Sequence, residues 1–188
     1  MHSTRRSYSF PEFRDHVLST YLSFYPTFAS TLGLHQYDSL VEDFSVPRRE
    51  EYLLAMKRAK EILDRDFLND QADDLSHFEC YALEWKINDE IFRMSELRDF
   101  EWNPMVYNDQ LEIMHLLDRD FAPLSERMHS VLLRLQAYPR VLAIARQNLS
   151  AYMDRTIVET GIQTLEGRLH FLESFPDRYF SQIESSNL

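Results

Sequence analysis

Three glycines in 188 residues is the tightest restriction this sequence carries. Average usage of about 7% would supply roughly 13. P-loops, dinucleotide-binding fingerprints and glycine-rich turn architectures all need clustered glycines, so they are excluded together. A single cysteine, Cys80, rules out an internal disulfide. No run approaches the 18 or so apolar residues that a membrane helix requires. Basic residues are also short, 20 against 31 acidic for a net charge of −11. A phosphate-binding surface needs clustered Lys and Arg, so no nucleic-acid partner and no membrane are expected. Arg5 and Arg6 are followed by no 7–15-residue apolar run, so a cytoplasmic location is expected. What the chain does hold is globular: 44% apolar, 13% aromatic and 27% charged residues. Its length suits one helical domain over residues 1–188.

The apolar residues recur at three- and four-residue spacing, and prolines punctuate them, which predicts an all-α fold of six or more helices without a sheet. Pro11 opens a helix with the stripe Phe13, Val17, Tyr21 and Phe24. Pro26 restarts it, and Gly33 offers a left-handed stop. Residues 34–46 read as a loop. Ser45 and Pro47 begin a helix to about Phe67 with Leu53, Met56, Lys60 and Leu63 along one side. Ser76 and Glu79 form a capping box for a helix to about Phe100 that buries Leu83, Ile87, Ile91 and Met94. Pro104 starts another to about Asp118. Pro123 starts the next, with Leu124, Met128, Val131, Leu132 and Leu135, and Pro139 is expected to kink or split it. The last runs from about Thr156 with Val158, Ile162, Leu165, Leu169 and Leu172, until Pro176 ends it.

Spacing eliminates most catalytic sites. The histidines are 2, 16, 35, 77, 115, 129 and 170, so no two are four apart and none precedes a Glu. A zinc-peptidase helix needs both features, so the chain alone is expected to be no enzyme and to hold no cofactor. His77 and Cys80 share a helix face but make only two ligands. One sharper pattern is Glu112-x-x-His115 with Glu126-x-x-His129. Two such motifs plus further glutamates, here offered by Glu79, Glu84 and Glu90, hold the metals of di-iron bundles. Solvated helix faces explain the same spacing. Aromatics crowd the first 44 residues, namely Tyr8, Phe10, Phe13, Tyr21, Phe24, Tyr25, Phe28, Tyr37 and Phe44. They read either as a helix packed on both sides or as the wall of an apolar cleft.

Four segments stand in order: Tyr25-Pro26-Thr27-Phe28-Ala29-Ser30-Thr31-Leu32-Gly33-Leu34-His35-Gln36-Tyr37-Asp38; Trp102-Asn103-Pro104-Met105-Val106-Tyr107; Arg119-Asp120-Phe121-Ala122-Pro123-Leu124-Ser125-Glu126-Arg127, with Arg134-Leu135, Pro139, Ala145-Arg146 and Asn148-Leu149 beyond it; and Val158-Glu159-Thr160-Gly161-Ile162, closing at Gly167. Together, over about residues 10–175, they resemble the N-terminal part of the bacterial family known as domain of unknown function 885. Its members resemble gluzincin metallopeptidases whose zinc ligands lie in a C-terminal part. The resemblance implies that this chain is a non-catalytic helical region that helps roof a substrate cleft, with zinc expected only in the absent part. The rival reading is a stand-alone helical binding or scaffold protein. Gly161 stands where the family tends to carry Ala, and Thr164 where it tends to carry Gln. His115 and His129 are outside the family pattern.

The resemblance also frames single residues. His35, Tyr37 and Asp38, following Gly33, read as cleft-lining; alternatively Asp38 caps a turn and His35 packs. Asn103 and Tyr107 join the cleft-lining set, although Asn103-Pro104 equally fits a plain helix start. Arg119 with Asp120 reads as a substrate contact or as an ion pair fixing an interhelix turn. A region shaped to pack on a larger part is expected to form a homodimer when isolated, through Phe13, Tyr21 and Phe28 with Leu165, Leu169 and Leu172.

Overall fold

The computed structural model describes residues 9–68 and 74–186, with side chains for 9–68 and 77–174. Among the described residues the fold is all-helical, with no strand. The helices are α1 (Phe10–Phe24), α2 (Pro26–Thr31), α3 (Val46–Asp66), α4 (Asp74–Phe92), α5 (Met105–Asn108), α6 (Met114–Asp118), α7 (Leu124–Asn148) and α8 (Arg155–Ser186). Among the described residues no helix is long and apolar enough to cross a membrane. The chain divides into two compact units. One combines the segment ending at Phe24 with Ser45–Arg98, and the other combines Tyr25–Phe44 with the chain from Asp99 onward.

The first unit is built on aromatic packing. Ser9 starts α1, its amide and hydroxyl both donating to Glu12 Oε2 at 2.9 and 2.7 Å. Phe13, Val17 and Phe24 face inward. Phe13 stacks on Phe67 at 5.2 Å and Phe24 on Tyr52 at 3.9 Å. Phe13 is therefore core, only 2% exposed, and cannot belong to the docking face expected of it. The Tyr8 ring lies outside the described residues. Leu83, Ile87 and Met94 of α4 and its extension are buried as the stripe predicts. Glu90 is 1% exposed, held by Lys86 at 2.7 Å and by the Tyr52 hydroxyl, which donates at 3.1 Å. Helix α4 already runs from Asp74, so Ser76 stands inside its first turn and not at a cap. Its far end also differs from the expected continuation to Phe100. Arg93–Leu97 widens into a π turn, and Arg98 at φ 49° ends the helix in the left-handed region.

In the second unit Gly33, at φ +88°, closes α2 as a Schellman motif. Its amide donates to Ser30 O at 2.9 Å, and that of Leu34 donates to Ala29 O at 3.2 Å. The single helix expected over 104–118 is broken: a tight turn at Asp109–Leu111 and an extended Glu112 separate α5 from α6. Glu112 Oε1 accepts the Met114 amide at 2.9 Å and starts the new helix. Pro139 does not split α7, and Pro176 does not end α8; both helices run through their prolines. Of the expected α7 stripe, Val131 is buried and Leu124, Met128 and Leu135 pack against the cluster of Ile113, Leu116 and Leu117, but the most deeply buried line is broader than an apolar count suggests. It consists of Arg127, Val131, Arg134, Tyr138, Val141 and Ala145, while Leu132 is half exposed.

Gly161 explains how α8 seats. A Cβ there would lie 2.6 Å from Pro104 Cγ. Alanine would gain about 1 kcal/mol of helix propensity, but overpacking a rigid ring costs about 1–3 kcal/mol. Gly161→Ala is therefore expected to lower stability by about 1 kcal/mol net, and Pro104→Ala in the same chain to recover the loss. Urea unfolding of the single and double variants checks this; a more stable single variant would contradict the packing argument.

Candidate functional site

The loop after α2 is pinned to α6 and α7 by buried polar groups. Ser30, Asp38, Glu42 and Arg134 are each at most 5% exposed. Ser30 Oγ donates to Asp38 Oδ1 at 2.5 Å and lies 2.8 Å from His115 Nε2. A hydroxyl has one proton, so His115 must donate from Nε2, leaving Nδ1 as the bare nitrogen. His35 Nδ1 donates to Asp38 Oδ2 at 3.1 Å, and its ring stacks on Phe121 at 3.8 Å. Arg134 reaches in from α7: Nε donates to Asp38 O at 2.6 Å and Nη1 to Glu112 O at 2.9 Å. Glu42 Oε1 accepts both the amide and the hydroxyl of Thr27.

Burial sets the protonation of this cluster. It raises the Glu42 carboxyl above the usual range, opposed by the Thr27 hydrogen bonds and by Arg134. It lowers Arg134, opposed by Glu42 and Asp38. It lowers His115 to about 4, with the Arg134 charge adding to the effect. Glu42 Oε2, Arg134 Nη2 and His115 Nδ1 are buried with no protein partner.

Serine, histidine and aspartate do meet here, but in the wrong order for nucleophilic catalysis. A base must take the serine proton, and here that proton is committed to Asp38. Ser30 is also 1% exposed, so no substrate can reach it. The arrangement fixes a loop. It also carries a pH dependence. His115 binds fewer protons folded, at about 4, than unfolded, at 6.5. Its contribution is therefore complete above pH about 6.5 and is lost as pH falls toward 4. For a half-buried ring this is worth about 1–2 kcal/mol. Urea unfolding at pH 7 and pH 4.5 is expected to show that difference in the wild type and a smaller one in His115→Gln. Equal differences in both proteins would remove His115 from the explanation.

The other expected residues are placed as follows. Tyr37 is half-buried in the same loop as His35 and Asp38. Arg119 does not pair with Asp120; its Nη1 donates to Thr31 O at 2.8 Å. Arg127 holds the interhelix turn instead, donating to Ala122 O, Leu116 O and Leu117 O at 2.8, 3.0 and 2.7 Å. Asn103 Oδ1 accepts the Met105 amide at 3.0 Å and starts α5, as Asn-Pro suggests. Asn103 also lines a small cavity of about 160 Å³. Tyr107 is buried, donates to Phe100 O at 2.7 Å and lines an apolar groove of about 360 Å³.

The metal candidates do not assemble. Glu112 is extended and precedes α6, so it does not share a helical face with His115. Glu126 and His129 are on α7. Each supporting glutamate already meets a cation: Glu79 with Arg14 at 3.0 Å, Glu84 with Lys60 at 3.4 Å and Glu90 with Lys86. No three His, Cys, Asp or Glu side chains gather for a metal ion among the described residues. The described residues therefore offer no ligand set that fits a zinc ion. Cys80 is buried, and burial raises its thiol above the usual range, which disfavours the reactive thiolate.

Ser30, Glu42, Arg127 and Arg134 are the residues that sequence reasoning missed as a group. The available signal was two arginines at inward positions of the α7 repeat. Residues 26–183 match the family described as bacterial protein of unknown function, DUF885. No curated protein matches the sequence. Among solved structures, a Shewanella oneidensis protein described as a candidate lipoprotein of unknown function matches with a TM-score of 0.82 at 22% identity. The match covers 97% of this chain and 32% of that one, so the chain spans about a third of that protein's length. At this identity the likeness establishes the fold.

Proposed function

The chain belongs to the DUF885 family of bacterial proteins of unknown function, and from that premise we propose that it is the non-catalytic helical region of a longer, zinc-peptidase-like protein. In this reading it helps roof a substrate cleft, and any zinc ligands belong to polypeptide outside residues 1–188. The loop carrying His35 and Tyr37 is the part offered to the cleft, held in place by the buried Asp38 and Arg134.

The observation that carries the reading is an aromatic face on α4. Phe78, Tyr81, Trp85 and Phe92 are 71%, 51%, 70% and 53% exposed. Their spacing of 3, 4 and 7 puts them on one side of the helix over about 21 Å. Exposed apolar surface of this kind marks a docking site. A further part of a longer protein is a natural occupant, and the shared fold with a chain three times as long supports it.

In isolation this face is expected to find a second copy as a twofold dimer. Light scattering at tens of micromolar protein is expected to give about 45 kDa, twice the 22.5 kDa of one chain. Raising the salt should not dissociate the dimer, since apolar burial is unscreened. The double variant Phe78→Ser, Trp85→Ser should give one chain's mass. A wild type that is monomeric in both low and high salt would count against the reading. Cytoplasmic and envelope locations compete. The relative's description as a candidate lipoprotein supports the second. Fractionation of the native protein separates them.

A further inference from the structure

The groove lined by Tyr107 has one charged residue in an otherwise apolar wall, and this charge has no use in the peptidase-like reading. Leu142 and Arg146 come from α7, Met153 from the connection, and Val158, Ile162 and Leu165 from α8. The volume, about 360 Å³, falls in the range of small-molecule sites. The polar side chains beside these walls are engaged: the Tyr107 hydroxyl donates to Phe100 O and accepts from Asn148, and Asn108 Nδ2 donates to Gly161 O at 2.9 Å. Arg146 is exposed and pairs with no acidic side chain among the described residues. In a chain of net charge −11 this cation stands beside apolar surface.

We propose that the groove between α7 and α8 binds a linear fatty carboxylate of medium length, its tail along Leu142, Val158, Ile162 and Leu165 and its carboxylate on the Arg146 guanidinium. The complementarity is specific. Apolar walls require an apolar tail, one cation requires one anion, and a planar guanidinium accepts a carboxylate through two parallel hydrogen bonds. The chain's overall negative charge does not prevent this, because repulsion beyond about 8 Å is screened at physiological salt. The inference is independent of the peptidase-like reading and can fail without it.

Titration calorimetry with octanoate and decanoate, below their micelle concentrations, tests the proposal on the whole chain. Two additional buried methylenes should tighten binding by about tenfold. Arg146→Gln should weaken decanoate by about fivefold and leave 1-decanol unchanged. Ile162→Asp should remove decanoate binding. Both variants change exposed residues, and circular dichroism verifies their folding. Amide shifts on decanoate addition should centre on Met153 and Ile162. Equal affinity for the two carboxylates, unchanged affinity in Arg146→Gln, or shifts centred on Trp85 would overturn the proposal. So would tighter binding of the apolar peptide N-acetyl-trileucine, which would identify the groove as a peptide site.

Discussion

Arg134→Met is expected to destabilise the chain by about 3–5 kcal/mol, the usual cost of removing one partner from a buried charge group. The side chain is 1% exposed. It supplies hydrogen bonds to the carbonyls of Asp38 and Glu112, and it is the cation facing the buried Glu42 and Asp38 carboxylates. Methionine matches the bulk of the arginine stem but leaves two carbonyls unsatisfied and two carboxylates without their countercharge. Denaturant titration reads the loss. Adding Glu42→Gln should recover part of it, because the charge that Arg134 neutralises is then gone. A loss under about 1 kcal/mol would mean that Arg134 does not hold the cluster.

Arg127→Met is expected to cost about 3 kcal/mol, since more than one buried acceptor loses its donor and each orphan costs about 1–3 kcal/mol. The guanidinium spans the end of α6, taking Leu116 O, Leu117 O and Ala122 O, and the first two are among the unsatisfied carbonyls of a helix C-terminus. Its contact with Asp120 is 3.4 Å long, and the Asp120 side chain is 96% exposed. Asp120→Asn should therefore stay within about 0.5 kcal/mol of wild type. Thermal unfolding of the two variants separates carbonyl capture from ion pairing. Equal losses would restore the ion pair as the force fixing the turn.

The helical class was legible because it depends on spacing and on the scarcity of glycine, both local properties. The α1 and α4 stripes were readable for the same reason: Phe13, Val17, Leu83 and Ile87 repeat at helical intervals and are buried. The α7 face was read only in part because its inward positions also include Arg127 and Arg134. An apolar count assigns arginines to solvent, whereas Arg127 is held inside by the carbonyls of the preceding turn and Arg134 by the carbonyls of Glu112 and the distant Asp38. The break between α5 and α6 was hidden because a Glu side chain, not a Pro or Gly, ends one segment and starts the next at Met114. Pro139 and Pro176 misled in the opposite sense: losing one backbone hydrogen bond did not interrupt a helix with further helical turns before and after the proline. Of the candidate site, Asp38 and Asn103 were visible as turn and cap formers and His35 as a packed residue. Ser30 and Glu42 were not, because the groups that fix their surroundings come from far along the chain: His115 meets Ser30 across 85 residues, and Arg134 meets the Asp38 carbonyl across 96.

The central claim is that these helices are one region of a longer protein. The coding frame immediately beyond Leu188 tests it most directly. The expected result is an open frame that continues and encodes a His-Glu-x-x-His helix with a third ligand downstream. A native stop codon directly after Leu188 would contradict it and leave a stand-alone helical protein.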